Sequence, residues 1–468
     1  MKRFKLRLTQ SQHKLLRSHL VSGDGLEAVA VGLCGRRRSK ENHCLTLHKV
    51  VPIPYNECKV RTPDRVTWST EKLIPLLEEA SKRDMAILKI HSHPGGYAQF
   101  SETDDSSDSD VFNSVFGWTD SEFPHCSAVM LPDGEIFGRV ILPNGDFRPL
   151  HSVLIPGDDI KVWNSSRSSG TPAHLERHSQ LFGSGTVHRL QNLSAAVIGC
   201  SGTGSPVVEQ LARLGIGRIV LVDPDRVETK NLNRILNATR EDAVLKRPKV
   251  EVLARAIANM GLGTEVDIVF GNLLSKEAVE TVATCDVVFG CMDGVEGRHL
   301  LNRLASYYLI PYFDLGVKLE ADGEGGINEA CGAVHYVRPD GSALVDRKVY
   351  TLNQLKAEGL RRTDPKAYRA QVKAGYIHGV QEDRPAVISI NMQVASSAIN
   401  EFLARIHPYR LDGNEESVVL RNSFIQGMEY RECDIAPSGF FSKIIGRGDS
   451  DPLLGLPELS LKEEKCAT

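Results

Sequence analysis

The stretch "IHSHPGGYAQFSETDD", residues 90 to 105, holds His91 and His93 one residue apart, with Asp104 close behind. On a strand, residues two apart face the same side, so both imidazoles can reach one ion. A tight Pro-Gly-Gly turn and a helix start at Ser101 give the chain room to bring Asp104 back. Two nitrogens and one carboxylate leave the fourth tetrahedral position of a zinc ion open for water, as in catalytic rather than structural zinc. Such an ion brings the pKa of its water towards neutrality and polarises a carbonyl. Glu27 precedes an apolar strand, and a carboxylate there could take the water's proton and pass it to a leaving amine. Ser101 could donate a hydrogen bond to the developing oxyanion. A plainer reading uses the same residues: a serine cap with an acid three positions on, a His-x-His pair of the kind common on strands, and a solvated acidic helix face towards Asp110.

A second set lies in "VIGCSGTGSPVVEQLARLGIG". Gly199, Gly202 and Gly204 stand where a strand enters a helix. Small residues there permit a tight turn and let backbone N–H groups approach phosphate at the positive helix end. Asp223 ends the next strand, where a ribose-binding acid belongs. The plain alternative is a glycine-rich turn that serves packing alone.

The elements that must position these residues follow from pattern. "LEAVAVGLCG" (26–35) and "CLTLHKVVPIP" (44–54) read as strands, "TEKLIPLLEEASKRD" (70–84) as an amphipathic helix, and "MAILKIHSHP" (85–94) as a strand entering a turn. "HCSAVMLPDGEIFGRVILPNG" (125–145) reads as a hairpin turning at Pro-Asp-Gly. Together they make a mixed α/β unit over 1–155. Residues 156–190 are rich in Ser and Gly and read as a linker with a lead-in helix. From 191 to 432 strands alternate with helices, which implies a parallel, Rossmann-like sheet. Within it 340–382 reads as a long polar excursion and 389–406 as a helix. Residues 433–468 read as a loose tail.

The chain has 468 residues, 41% hydrophobic and 25% charged, enough for two or three domains with real cores. Net charge of −3 argues against nucleic acid as the main partner, and the Arg36-Arg37-Arg38 run reads as a solvated strand edge. No stretch of 18 apolar residues and no signal peptide are seen, so a membrane role is not expected. The ten cysteines form no Cys-x-x-Cys pair, which fits a reducing cytoplasm.

"HSHPGGYAQFSETD" fits the JAMM motif, His-x-His-Pro, six residues, Ser-x-x-Asp, without gaps. With "LEAVAVGLCG" upstream, residues 1–155 resemble the JAB/MPN zinc peptidases. That resemblance implies zinc on His91, His93 and Asp104, an acid/base in Glu27, transition-state support from Ser101, and an amide or isopeptide bond after the C-terminal glycine of a ubiquitin-like protein. "LVDPDRVETKNLNR", "RPKVEVLARAIANM" and "DVVFGCMDGVEGRHLLNRLA" resemble the ThiF/MoeB/HesA family, the fold of ubiquitin-activating enzymes, over about 170–430. This second resemblance implies ATP, with its ribose on Asp223, its triphosphate contacted by Arg234 and Lys249 beside Asn231, and magnesium on Asp293. Charge that builds on the α-phosphate and pyrophosphate during adenylation asks for such cations.

Two positions depart from that pattern. Ser201 stands where the family's turn has glycine, and Gln180 stands where its Arg-Tyr-x-Arg-Gln segment, begun here by Arg177, has a second arginine. A thioester step would also need a cysteine nucleophile, for which Cys331 is the candidate. Cys200 and Cys291 read as packing residues.

Both halves then address one object, the C-terminal glycine of a ubiquitin-like protein, to be adenylated by one half and cut free by the other. The implied setting is a homodimer in the cytoplasm, with a conjugating enzyme as further partner, as in bacterial ubiquitin-like systems of which some serve antiphage defence. Two alternatives are activation of a sulfur-carrier protein in cofactor or amino-acid biosynthesis, and a scaffold with one half inactive.

Overall fold

The computed structural model describes residues 2–165, 170–374 and 385–460. These fall into two compact units. The first joins the N-terminal part of the chain to residues 306–309 and to a C-terminal stretch from 443; the second holds the remainder of the region up to 442.

In the first unit the order is β1 (Arg3–Arg7), α1 (Gln10–Leu20), β2 (Val29–Arg38), β3 (Asn42–Pro52), β4 (Cys58–Thr62), β5 (Arg65–Trp68), α2 (Ile74–Arg83), β6 (Ala86–Ser92), α3 (Glu102–Thr119), β7 (His125–Met130), β8 (Ile136–Ile141), β9 (Phe147–Pro149), β10 (Ser152–Pro156) and β11 (Ile160–Asn164). Nine strands form one mixed sheet, β11-β10-β1-β3-β2-β6-β7-β8-β9. Side chains alternate across a strand, and β2 shows the result: Ala30 and Cys34 enter one core, and Val29, Val31 and Leu33 the other. A strand buried on both faces reads as a continuous apolar run, which is why the period-2 signal is weak there. β6 does the same with a polar tail. Ile87 joins the core beneath α2 and α3, and Lys89 and His91, two and four residues on, meet side chains of α3.

Three expectations are corrected. The linker does not begin at 156, because β11 pairs antiparallel with β10 and extends the first sheet. The tail is not loose over 443–460. The Gly446 carbonyl accepts from the Gly35 N–H and the Thr46 hydroxyl, and Asp449 Oδ2 accepts from the Arg38 N–H. A Cβ on Gly35 would lie 2.3 Å from the Arg447 carbonyl carbon, so this approach requires glycine. The remaining tail, 461–468, lies outside the described residues. The arginine run is no solvated edge either: Arg36 is buried and donates to the carbonyls of Asp84, Met85 and Pro124.

The second unit runs α4 (Glu176–Asn192, broken at Gly183), β12 (Ser194–Ile198), α5 (Gly204–Arg213), β13 (Arg218–Val222), α6 (Arg240–Val244), α7 (Lys249–Met260), β14 (Glu265–Val269), α8 (Lys276–Val282), β15 (Val287–Gly290), α9 (Val295–Tyr308), β16 (Tyr312–Ala321), β17 (Ile327–Val337), α10 (Leu352–Thr363), α11 (Pro365–Lys373), α12 (Ile388–Ile406), β18 (Val419–Ser423) and β19 (Met428–Glu432). Its sheet is β14-β13-β12-β15-β16-β17-β18-β19. The first five strands are parallel and the last three join antiparallel. The strand order reverses between β12 and β15, the crevice where open α/β sheets bind ligands. The polar excursion contains α10 and α11; residues 375–384 lie outside the described residues. Among the described residues no helix is long and apolar enough to cross a membrane.

Candidate functional site

β6 ends at Ser92, and the chain turns through Pro94, Gly95 and Gly96 into α3. The turn leaves both imidazoles facing the first turn of that helix. His91 Nε2 stands 3.1 Å from His93 Nε2 and 2.9 Å from Asp104 Oδ1, and His93 Nε2 is 3.4 Å from Asp104 Oδ2. His93 Nδ1 lies 2.7 Å from the Tyr97 carbonyl. A carbonyl can only accept, so His93 Nδ1 carries a proton there.

Glu27 is buried just before β2, with its backbone N–H bonded to Thr62 and its carbonyl to the Arg61 guanidinium. Its Oε1 is 4.0 Å from His93 Nε2. Glu27, His91 and His93 offer ligand atoms all within 4.8 Å of one another, so either carboxylate is near enough to share a metal with the histidines. Their acidities separate them. Burial pushes the Glu27 carboxyl up to about 7, with His93 pulling the other way and Asp104 adding to the rise. Burial also opposes ionisation of Asp104, but hydrogen bonds to His91, His93 and Ser101 outweigh it and hold that carboxyl well below the usual range. The Asp104 carboxyl, held low, suits a ligand; the Glu27 carboxyl, held high, suits a proton carrier. Burial lowers His91, which favours the neutral ring a metal needs. Burial acts the same way on His93, but Asp104 and the Tyr97 carbonyl leave it raised.

The capping box and the site are one structure. Ser101 Oγ accepts from the Asp104 N–H, and Asp104 Oδ2 accepts from both the N–H and the hydroxyl of Ser101, each at 2.7 Å. A hydroxyl has one proton, and here Asp104 takes it. In this arrangement Ser101 aims the Asp104 carboxylate. The acidic run is not wholly solvated. Asp108, one turn beyond Asp104, is fully buried between Lys89 (2.8 Å) and Arg139 (2.7 Å). Spacing gave one clue to this: four residues on a helix return to the same face.

In the second unit the glycine turn joins β12 to α5. Gly199 has φ +93°, and a Cβ there would meet the Cys291 carbonyl at 2.5 Å. A Cβ on Gly204 would strike the Gly199 carbonyl at 1.8 Å, and one on Gly202 would strike Asn391 Nδ2 at 2.3 Å. Asp223, at the end of β13, accepts from the Cys200 N–H (2.6 Å) and the Asp225 N–H (2.8 Å), which ties it to the turn. Burial raises its pKa, against Lys249. Lys249, buried at the start of α7, reaches Asp225 Oδ2 at 2.7 Å and stands 4.0 Å from Asp223. Arg234 passes beside Gly202 and donates to the Lys230 carbonyl and Asn233 Oδ1. Asn231 Oδ1 caps the Glu228 N–H.

Asp293 follows β15 and is exposed. Just beyond it, the N–H groups of Val295 and Glu296 at the head of α9 donate to Glu358 of α10 (2.6 and 3.1 Å). Below, Arg298 Nε and the Tyr312 hydroxyl both donate to Asp314 Oδ1. Sequence reasoning missed Asp225, Arg298, Asp314, Glu358 and Asn391. Asp225 in Asp-Pro-Asp was the readable one; the others act across long separations.

Cys331 is not with this group. It sits in β17 opposite Lys318 and Ser423, half-buried, its thiol 3.3 Å from Glu329 Oε1. Burial and Glu329 raise its pKa, the reverse of what an activated nucleophile needs. Arg177 and Gln180 are exposed on the first turns of α4.

Comparison with known proteins matches residues 175–418 to the ThiF family and residues 9–137 to the prokaryotic homologs of the JAB domain. The chain is 28% identical over 167 residues to Ubiquitin-like modifier-activating enzyme 5 of Drosophila willistoni, covering 33% of this chain and 38% of that protein. It is 34% identical over 113 residues to Adenylyltransferase and sulfurtransferase MOCS3 of Danio rerio, 24% of each chain. The chain thus spans less than two fifths of the length of either relative. Among solved structures, E. coli MccB with ATP aligns at 16% identity and TM-score 0.43 over 58% of this chain and 74% of that one. The microcin C7 biosynthetic enzyme MccB with N-formylated MccA aligns at 19% and 0.45 over the same shares.

Proposed function

From the premise that this chain belongs to the ThiF family, with a JAB-type unit ahead of it, we propose that it activates and cleaves at one and the same group: the C-terminal glycine of a ubiquitin-like protein. The second unit adenylates the terminal carboxylate. The first hydrolyses an amide or isopeptide bond after that glycine, in a precursor or a conjugate.

The observation that carries the hydrolase half is the convergence of His91, His93 and Asp104. Ligand atoms around a tetrahedral zinc with bonds of about 2.0–2.1 Å lie about 3.3 Å apart; here the two Nε2 atoms stand 3.1 Å apart, and Asp104 presents one carboxylate oxygen to each ring, Oδ1 at 2.9 Å from His91 and Oδ2 at 3.4 Å from His93. The donor set fits zinc, which would supply an acidified water and polarise the carbonyl. The Tyr97 carbonyl fixes the His93 tautomer. Ser101 fixes Asp104. Glu27, near neutrality, takes a proton on its carboxylate and returns it to the leaving nitrogen.

In the second unit the substrate carboxylate attacks the α-phosphorus of ATP and pyrophosphate leaves. The glycine turn lets backbone N–H groups approach the phosphates. Lys249 and Arg234 answer the charge that develops on them, Asn231 supports their loop, and Asp223 takes the ribose. Asp293 would hold magnesium, which neutralises the departing pyrophosphate. The likeness to MOCS3 gives one alternative footing: the same adenylate on a sulfur-carrier protein, thiolated afterwards. A homodimer, a conjugating enzyme as partner and a cytoplasmic setting belong to this reading.

The test separates the halves. ATP–pyrophosphate exchange should depend on a ubiquitin-like protein ending in glycine and vanish in Asp293→Ala. Chelation of zinc should abolish cleavage and leave exchange intact. Cleavage that survives complete zinc removal sinks the hydrolase half. A thiocarboxylate on the carrier, seen by mass spectrometry, selects the sulfur-carrier reading.

A further inference from the structure

A pocket of about 410 Å³ opens in the first unit beside the histidine pair. This is within the roughly 300–1,000 Å³ of small-ligand sites. Phe100, Ile136, Phe137, Phe147, Leu150 and Trp163 lead its apolar lining, and Gln99, Glu135, Arg139, Ser152, Asn164 and Ser165 are its polar members. Several of these rings are only half-buried, although the core around them is closed.

The pocket shares a wall with the metal-type cluster. Phe137 lies 6.4 Å from the His93 ring and 5.4 Å from Phe100, centroid to centroid. The loop from Pro94 to Phe100 serves both places: its Tyr97 carbonyl holds His93, and its Ala98, Gln99 and Phe100 line the pocket. An extended chain advances about 3.3–3.6 Å per residue, so a polypeptide held at the histidines reaches the pocket within one or two residues.

The lining also states what fits. Arg139 reaches the pocket, but its guanidinium is bonded to Asp105 and Asp108 and is stacked between Phe100 (3.8 Å) and Phe147 (3.9 Å). It offers no spare charge to a carboxylate or phosphate. Glu135 repels acidic groups as well.

We infer that this pocket is a specificity subsite that takes a bulky, uncharged apolar side chain of the polypeptide substrate, one or two residues from the bond that is cut. The inference rests on the hydrolase reading of the first unit and names its substrate class more narrowly. Glycine at the cut cannot fill such a space, so the side chain belongs to a neighbour. Substrates with Leu or Phe there are preferred to those with Ala or Asp.

The experiment has two arms, both with the full chain. In the first, zinc-loaded protein is given blocked peptides with glycine at the cut and Ala, Leu, Phe or Asp at each flanking position. Leu or Phe should raise kcat/KM about tenfold or more over Ala at one of them, a typical span for a hydrophobic pocket. In the second, the same peptides are titrated calorimetrically into protein held in chelator, and the same ranking should appear in Kd. Asn164→Trp, at a partly exposed edge-strand position that faces the pocket, should collapse the Leu-to-Ala ratio in both arms. Phe137→Ala should shift preference towards Trp. A flat ranking in both arms overturns the inference, and so does a ratio unchanged in Asn164→Trp. If no peptide is cleaved but the binding ranking stands and is lost in Asn164→Trp, the subsite holds and the hydrolase reading fails.

Discussion

The two candidate sites reach their geometry by opposite routes. In the first unit, one strand, one turn and one helix deliver His91, His93 and Asp104, and only Glu27 comes from elsewhere. In the second, Gly199, Asp223 and Asp293 follow the ends of three different strands, and Lys249 arrives on a separate helix. The electrostatics differ too. The imidazoles and Asp104 face one another in one buried cluster, which on the proposed reading a zinc ion would complete. Lys249 is already paired with Asp225, and Asp223 already accepts from Cys200 and Asp225. On the proposed reading, a nucleotide entering there exchanges these partners rather than filling a gap. On that reading the first site is preorganised and the second is remade by its ligand, which couples binding to rearrangement.

The sharpest test of that contrast is Glu27→Gln. It keeps shape and burial but removes the proton acceptor, so cleavage should fall by about 10²–10⁴-fold while ATP–pyrophosphate exchange stays at the wild-type rate. Single-turnover cleavage with zinc occupancy measured in parallel checks it. Loss of zinc in the variant would instead make Glu27 a ligand, as its distances to the histidines allow.

Asp108→Ala probes the support beneath the first site. Removing one partner of a buried ion pair costs about 3–5 kcal/mol, and here it leaves Lys89 without its carboxylate and Arg139 with Asp105 alone. Denaturant unfolding followed by tryptophan fluorescence, whose three sources Trp68, Trp118 and Trp163 all lie in the first unit, should show the loss there. An unchanged midpoint would mean that water solvates these cations and that α3 is held by its apolar face.

How much of this could be read from the sequence follows from the same contrast. His91, His93, Ser101 and Asp104 are legible because a strand period and a capping box fix them locally. Asp108 was misread because a buried acid in an acidic run looks like its solvated neighbours; only Lys89 and Arg139, from distant strands, reveal it. The parallel sheet was legible from the alternation of strands and helices, and the glycine turn from its spacing. β11 and the ordered return of residues 443–460 were not, since their pairing partners Ser152–Pro156 and Gly35–Arg38 carry no local mark of it. Glu358, held by two backbone N–H groups of α9, was hidden in a polar stretch without clear period.

Ser101→Ala should act on a smaller scale. The lost cap costs about 1 kcal/mol of stability, and Asp104 loses the group that aims it. Outer-shell substitutions of this kind lower metal affinity about 10–100-fold. Competition with a chromogenic chelator measures that directly. A loss of turnover at saturating zinc, with affinity unchanged, would return Ser101 to the role of oxyanion donor.

The smallest effect is expected at Cys331, and there the second site is tested by its silence. A thioester-forming cysteine needs a depressed pKa and an open approach. Cys331 lies within a strand, paired on both sides, and burial and Glu329 push its thiol up. Cys331→Ser should leave exchange within about twofold of wild type, the range expected for a surface-like change of less than about 0.5 kcal/mol. Intact-mass analysis after ATP and a ubiquitin-like protein should show the acyl-adenylate or its hydrolysis, with no adduct on the chain. A covalent adduct lost in Cys331→Ser would overturn this, and would require the strand to open and Glu329 to leave the sulfur before acyl transfer.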